Sequence, residues 1–188
     1  VDILVTPLVT ILVGALLSTW WAPAIGKAAS AVGNLIMWAT ELQPFFMGIL
    51  VSVIVGIALT LPISSAAICA ALSLTGLAGG AAVAGCCAQM VGFAVASYRE
   101  NKMGGLIAQG IGTSMLQVPN IVKKPLIWIP PIVSSAILGP VSSAILRMTS
   151  TPTGSGMGSA GFVGQIMAWQ SMTQTMSVPV VAIEIILM

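Results

Sequence analysis

The stretch Thr60-Leu61-Pro62-Ile63-Ser64-Ser65-Ala66-Ala67 decides the fold, because it interrupts the run 42–98, which holds no charged residue. A proline lacks a backbone donor and collides with the preceding helical turn. The residue before it is also driven out of helical geometry, whereas the two serines that follow can cap a new helix. Broken backbone at membrane depth is tolerated only where protein or trapped water satisfies it. We therefore predict a broken helix that faces a protein-lined cavity, as in the substrate sites of many transporters.

The composition places the chain in a lipid bilayer. Hydrophobic residues make up 57% of the sequence and charged residues 5%, and the mean hydropathy is +1.09. A soluble domain carries about 25% charged residues, so this chain cannot form a water-facing surface all round. The sequence predicts an all-α, polytopic integral membrane protein with broken and re-entrant helices.

Several kinds of chemistry are excluded or disfavoured. The sequence contains no histidine, which removes a neutral-pH imidazole base and a phosphohistidine from these residues. A net charge of +2 gives no basic patch for nucleic acid. The cysteines Cys69, Cys86 and Cys87 lack metal-ligand spacing, and we interpret them as apolar packing residues. We expect no metal and no cofactor.

Hydropathy and helix-breaking residues divide the chain into segments. We predict membrane spans at 3–26, 44–61, 81–97 and 126–146, and the start of a last one at 178. A half-helix over 63–74 and a glycine turn over 75–80 precede the third span. An amphipathic helix at the membrane surface or between subunits is expected over 28–43. Polar composition predicts loops at 98–102 and 148–157.

Two apolar segments, 104–117 and 158–177, carry too many polar side chains to face lipid. The first is flanked by Arg99 and Lys102 before it and by Lys123 and Lys124 after it. By the positive-inside rule these basic residues lie on the cytoplasmic side. We therefore predict a re-entrant hairpin that enters and leaves from that side, and a second embedded segment of the same kind.

Short polar side chains on the broken segments are the candidate solute-binding residues. Carboxamides both donate and accept hydrogen bonds, as sugar hydroxyls require. The candidates are Ser64, Ser65, Gln89, Gln109, Gln117, Asn120 and Gln165. For each one the alternative is an interhelical hydrogen bond. We expect the half-helix that starts near Pro62 and the hairpin that ends near Asn120 to point into one shared cavity.

Two acids are candidates for an ionisable site. Glu41 lies beside a helix start, so it is either near the cavity or at the membrane interface. Glu184 lies in an apolar run, where an acid is costly and indicates function, unless it contacts a partner helix at that depth. Trp169 could stack on a sugar ring or anchor its segment at the interface. No residue is assigned a catalytic role.

Several blocks of the sequence resemble a bacterial family, the EIIC-type permeases of the sugar phosphotransferase system. The similarity covers most of the chain, and the blocks that carry it are 60–67, 85–88, 91–93, 97–101, 110–117 and 120–122. Well-characterised members use a substrate-binding histidine and a glutamate in a Gly-Ile-Thr-Glu motif. This chain has neither, so the resemblance assigns no binding residue.

The resemblance implies a multi-pass permease of the bacterial cell membrane that translocates a sugar or a similar neutral polar solute. It also implies a homodimer and a soluble phosphocarrier partner, so that the chain is at most the membrane subunit of a phosphotransferase. Two alternatives stay open: a transporter or channel without phosphorylation, and a membrane regulator that kept the fold. Because the chain begins at Val1 and ends inside an apolar run, we expect one permease domain over 1–188, incomplete at both ends.

Overall fold

The structure, a computed structural model, describes residues 2–174 and 181–182. These residues are almost entirely helical, and they contain no β-strand beyond one isolated bridge between Gly76 and Ser150. The α-helices are α1 (Asp2–Leu42), α2 (Pro44–Thr60), α3 (Ser65–Ala71), α4 (Gly76–Ala96), α5 (Tyr98–Ile107), α6 (Val118–Lys123), α7 (Ile129–Pro140), α8 (Pro152–Ser155) and α9 (Val163–Met172). The all-α prediction is confirmed.

Within the described residues, two helical stretches are long and apolar enough to cross a membrane. They are Gly76–Ala96 and Pro125–Ile145, each of 21 residues. At a rise of 1.5 Å per residue, such a length matches a hydrocarbon core about 30 Å thick. Because 83% of the first window is buried and only 33% of the second, α4 is the more enclosed of the two, and most of the 125–145 stretch is not buried.

Small residues let α2, α4 and α7 approach one another closely. The backbone of Gly85 on α4 touches Ser52 on α2, and Gly139 on α7 touches both Ser52 and Gly48. The Ser52 Oγ donates to the Ser135 carbonyl over 2.7 Å. Helices in lipid associate through such close contacts and interhelical hydrogen bonds, since burial from water contributes little there. This three-helix packing forms the centre of the fold.

The break at Pro62 is confirmed. Helix α2 ends at Thr60, and the Ser64 Oγ accepts a hydrogen bond from the Ala67 N–H over 3.2 Å, which caps the seven-residue helix α3. The predicted half-helix over 63–74 is therefore present in a shorter form. Pro140 also ends regular α-helix, and a π-helical turn, Val141–Ile145, follows it.

Three segment predictions are wrong, and α1 is the first. It runs without interruption from Asp2 to Leu42, so 28–43 is not a separate surface helix. A lone charged residue such as Lys27 does not end a helix, since lysine is itself a good helix former. The backbone of Gly33 packs against the Leu72 carbonyl, and Thr40 is fully buried. The later part of α1 therefore packs on the protein interior.

The predicted glycine turn over 75–80 is also wrong, because α4 begins at Gly76. Gly80 abuts the Met148 backbone, and Gly79 abuts the Ser150 carbonyl. These glycines therefore serve close packing. The third wrong prediction is the loop at 98–102, which is the first half of α5 and is interrupted only at Lys102, where φ is 52°.

The later segments follow their predictions more closely. Residues 148–157 are irregular except for the one-turn helix α8. The second embedded segment contains a 3₁₀ turn, Ala160–Phe162, and α9, which is only ten residues long. The predicted last span from 178 lies outside the described residues apart from Val181 and Ala182.

Candidate functional site

The segment 104–124 is broken into short pieces instead of forming one helix. Helix α5 leads into a π-helical turn, Ala108–Gly112, and Thr113 then adopts an extended backbone. A 3₁₀ turn, Ser114–Gln117, and helix α6 follow. The Thr113 Oγ1 accepts from the Met115 N–H over 3.2 Å, which satisfies a backbone donor exposed by the break. π-Helical turns of this kind are frequent at functional sites.

Residues from both flanks of this segment line one cavity of about 320 Å³ between α4, α5 and the 114–127 region. We call it the outer cavity. Its lining consists of Phe93, Ala96, Ser97, Glu100, Gln117, Asn120, Lys123, Lys124 and Ile127. The volume falls in the range of small-molecule sites, roughly 300–1,000 Å³.

Three of the predicted site residues form a hydrogen-bonded chain beside the outer cavity. The Asn120 Nδ2 donates to the Gln117 Oε1 over 2.9 Å, and the Gln117 Nε2 donates to the Gln109 Oε1 over 3.0 Å. Gln109 and Gln117 are buried, whereas Asn120 is exposed. The chain fixes the Gln117 amide, and its exposed end, Asn120, is the member most accessible to a solute.

The rim of the outer cavity carries three charges, those of Glu100, Lys123 and Lys124. All three side chains are exposed, and within the described part of the chain none forms an ion pair. The charges are therefore hydrated and available to a polar solute or to lipid headgroups.

Gln89 is fully buried and lies next to the 125–128 turn. The Trp128 Nε1 donates to the Gln89 Oε1 over 3.2 Å. The Gln89 Nε2 has no hydrogen-bond partner among the described residues. Gln89 is thus the fourth predicted residue in this region.

Ser64 and Ser65 lie elsewhere. The Ser65 Oγ donates to the Gly156 carbonyl over 2.7 Å, and the Ser64 Oγ caps α3. Ser65 lines a second cavity of about 460 Å³ with an apolar lining between α1, α2 and α3. The expectation of one cavity shared by Ser65 and Gln117 is wrong, because the loop at Gly156 already satisfies the Ser65 hydroxyl.

Gln165 is likewise not brought to the outer cavity. The Gln165 Nε2 contacts the Cys87 Sγ over 3.4 Å, and residues 87 and 89 project to opposite sides of α4 because they are two positions apart. The second embedded segment does reach the first, since the Ser159 Oγ donates to the Gly110 carbonyl over 2.5 Å. Trp169 is exposed on α9.

Of the two candidate acids, the structure describes only Glu41, which does not line the outer cavity. Glu41 is exposed near the end of α1. Glu184 lies outside the described residues.

Sequence reasoning missed four residues that the structure brings to the region: Thr60, Ser114, Trp128 and Glu100. Thr60 and Ser114 each stand beside a helix break, which is a signal that could have selected them. No local pattern indicates the hydrogen bond of Trp128 to Gln89.

Broken, closely packed helices of such apolar composition, with a polar cavity among them, define an all-α integral membrane protein. The chain belongs to the phosphotransferase system EIIC family, whose family model matches residues 1–188. Members are membrane transport proteins that work with other components of that system. No curated protein and no solved structure matches the chain.

Proposed function

We propose that the chain is a permease for a sugar or a similar polar solute, and that the outer cavity is part of its solute site. The observation that carries the proposal is the chain of carboxamides from Gln109 through Gln117 to Asn120 at the cavity wall. A preformed, partly buried hydrogen-bonding chain can meet solute hydroxyls at little cost in conformational entropy. Family membership supplies the transport context.

Each carboxamide has a distinct role in the proposal. Asn120 contacts the solute directly, because its side chain is exposed in the cavity. Gln117 lines the cavity and holds Asn120, and Gln109 holds Gln117. Ser64, Ser65 and Gln165 keep the structural roles that their contacts indicate.

The proposal includes a re-entrant topology for the segment 104–117. Glu100 before the segment and Lys123 after it line the same cavity, which supports entry and exit on one side of a bacterial cell membrane. The basic residues Arg99, Lys102, Lys123 and Lys124 would then all face the cytoplasm.

A second candidate, transport without phosphorylation, is favoured by the absence of histidine from these 188 residues. In the phosphorylating case, a soluble phosphocarrier must bring the phosphoryl group to the cavity. Uptake into proteoliposomes separates the two. If phosphorylated solute is released and this release requires a soluble phosphocarrier, transport is coupled to phosphorylation. If unchanged solute is released, transport occurs without phosphorylation.

The solute site is tested with matched variants in the same uptake assay, using a panel of labelled hexoses, hexitols and amino sugars. Asn120→Leu and Gln117→Leu should each weaken solute binding by roughly 1 kcal/mol or more, about fivefold or more in apparent affinity. Gln170→Leu is the control, because Gln170 is exposed on α9. Equal uptake by all three variants and the unchanged protein would contradict the assignment.

A further inference from the structure

The lining of the outer cavity continues inward along α4. Ser97 and Phe93 line the cavity, and Gln89 lies four residues before Phe93. Residues four apart on a helix are neighbours on one face. Gln89 is therefore the next side chain inward on the lining face of α4, one turn deeper than Phe93.

The 3₁₀ turns before α6 and α7 also place polar residues next to residues of the cavity lining. Gln117 lines the cavity, and Ser114 stands three residues earlier in the same 3₁₀ turn, where positions three apart coincide. Ile127 also lines the cavity, and Trp128 follows it immediately. Polar groups on three separate elements thus lie next to residues of the cavity lining.

Among the described residues, the unpaired end of the Gln89 carboxamide is its NH₂ group. An indole N–H can only donate, so its partner in Gln89 must be the oxygen, which leaves the NH₂ group as the unsatisfied end. That group is buried and has no partner within 2–174 or 181–182. A buried donor without a partner is costly, and a solute oxygen or a water molecule would relieve that cost.

The hydroxyls of Thr60 and Ser114 supply the complementary group, which is a hydrogen-bond acceptor. The Thr60 Oγ1 donates to the Gly56 carbonyl over 3.3 Å and lies 3.1 Å from the Ser114 Oγ. While Thr60 donates its single proton to Gly56, Ser114 is the donor in the second contact and keeps a free lone pair. Gly56, which accepts from Thr60, also lies next to Gln89. A Cβ at Gly56 would lie 2.8 Å from the Gln89 Cγ.

We infer that Gln89, Ser114, Thr60 and Trp128 form a second solute-binding layer, the inner layer, for the hydroxylated ring of the solute. Gln89 donates to a ring hydroxyl oxygen, Ser114 accepts from a hydroxyl, and the Trp128 indole covers the apolar C–H face of the ring. In this structure the Trp128 indole is hydrogen-bonded to Gln89, so the inner layer is closed to a solute. The inference rests on the proposed function, because it extends the same solute route.

Accessibility of introduced cysteines tests the inner layer without knowledge of the solute. Ser114→Cys and Ser52→Cys are compared in proteoliposomes, because both serines have 0% exposure and only Ser114 belongs to the inner layer. The probe is the water-soluble reagent 2-sulfonatoethyl methanethiosulfonate. Unsubstituted protein, with its three buried cysteines, gives the background rate.

We expect Ser114→Cys to react at least about tenfold faster than Ser52→Cys, and faster still when Trp128→Phe is added. Equal, background-level rates for the two cysteines would overturn the inner layer. If Ser114→Cys fails to fold, Thr60→Cys replaces it with the same expected outcome.

The solute assay gives a second, separable reading. A hexose or hexitol that is taken up should slow the reaction of Ser114→Cys, and the absence of protection would refute the ligand assignment. If no solute of the panel is taken up while Ser114→Cys still reacts quickly, the aqueous inner layer stands and the proposed transport function fails. Uptake together with an unreactive Ser114→Cys refutes the inner layer alone.

Discussion

Thr60, the last residue of α2, lies with its hydroxyl 3.1 Å from the hydroxyl of Ser114, the first residue of the turn after the break at Thr113. Both side chains are fully buried. Two helix interruptions that are far apart in the sequence therefore meet at this contact. Freed backbone groups at membrane depth need polar surroundings, and each interruption supplies part of them to the other.

The cap of α3 gives a prediction that separates stability from solute binding. Ser64→Ala removes the acceptor for the Ala67 N–H and should lower stability by about 1 kcal/mol. Solute uptake per folded molecule should stay unchanged, because the contacts of Ser64 lie away from the outer cavity. Thermal unfolding in detergent measures the first effect and proteoliposome uptake the second. Ser64→Asp, which can still cap, should restore stability.

Helix packing at Gly85 gives a second prediction. A Cβ at this position would collide with the Ser52 carbonyl, so Gly85→Ala should destabilise the protein by about 1–3 kcal/mol. Gly104→Ala is the matched control, because the described structure places nothing within 4 Å of a Cβ there. A lower unfolding temperature for Gly85→Ala alone is the expected result, and similar temperatures would contradict the close packing of α2 on α4.

The topology of the segment 104–117 gives a third prediction. Cysteines introduced at Asn101 and Lys123 should react with a membrane-impermeant thiol reagent from the same side of the membrane, because the flanks of the segment line one cavity. Labelling of right-side-out and inverted vesicles measures the side. If the two positions react from opposite sides, the segment crosses the membrane and the re-entrant proposal fails.

Oligomeric state gives a fourth prediction, which follows from the homodimer that the resemblance implies. Leu35 and Trp38 on α1 and Phe46 on α2 are large apolar side chains with exposures of 60%, 59% and 63%, and we propose them as the dimer contact. Trp38→Cys should then form an intermolecular crosslink in membranes. Ile145→Cys is the control, since Ile145 is similarly exposed, at 73%, in another region. Equal crosslinking at both positions would indicate random contact in the bilayer.

The features that sequence reasoning predicted correctly are those with a local cause. Pro62 interrupts the helix whatever tertiary structure surrounds it. Ser64 caps the next helix by accepting from the backbone N–H three residues later. The re-entrant hairpin over 104–117 stays a prediction, and Gln109, Gln117 and Asn120 are close because they lie within twelve positions of one another.

The features that it missed depend on distant partners. Ser65 is bound by Gly156, which is 91 positions away, and Trp128 is bound to Gln89, which is 39 positions away. The glycines Gly79 and Gly80 show the same limit, because a glycine that permits a turn and one that permits close packing are identical in sequence. Only the neighbouring backbone at Met148 distinguishes them.

The length of α1 has a mechanical consequence. A helix of 41 residues measures about 60 Å along its axis, roughly twice the thickness of the hydrocarbon core. Such a rod must lean steeply or project from the bilayer, and the cost of either depends on membrane thickness. Gly33 anchors this rod against the Leu72 carbonyl at the end of α3. A thicker or thinner bilayer would therefore change the tilt of α1. Because Gly33 contacts Leu72, a change in tilt would also shift α3, the short helix that follows Pro62.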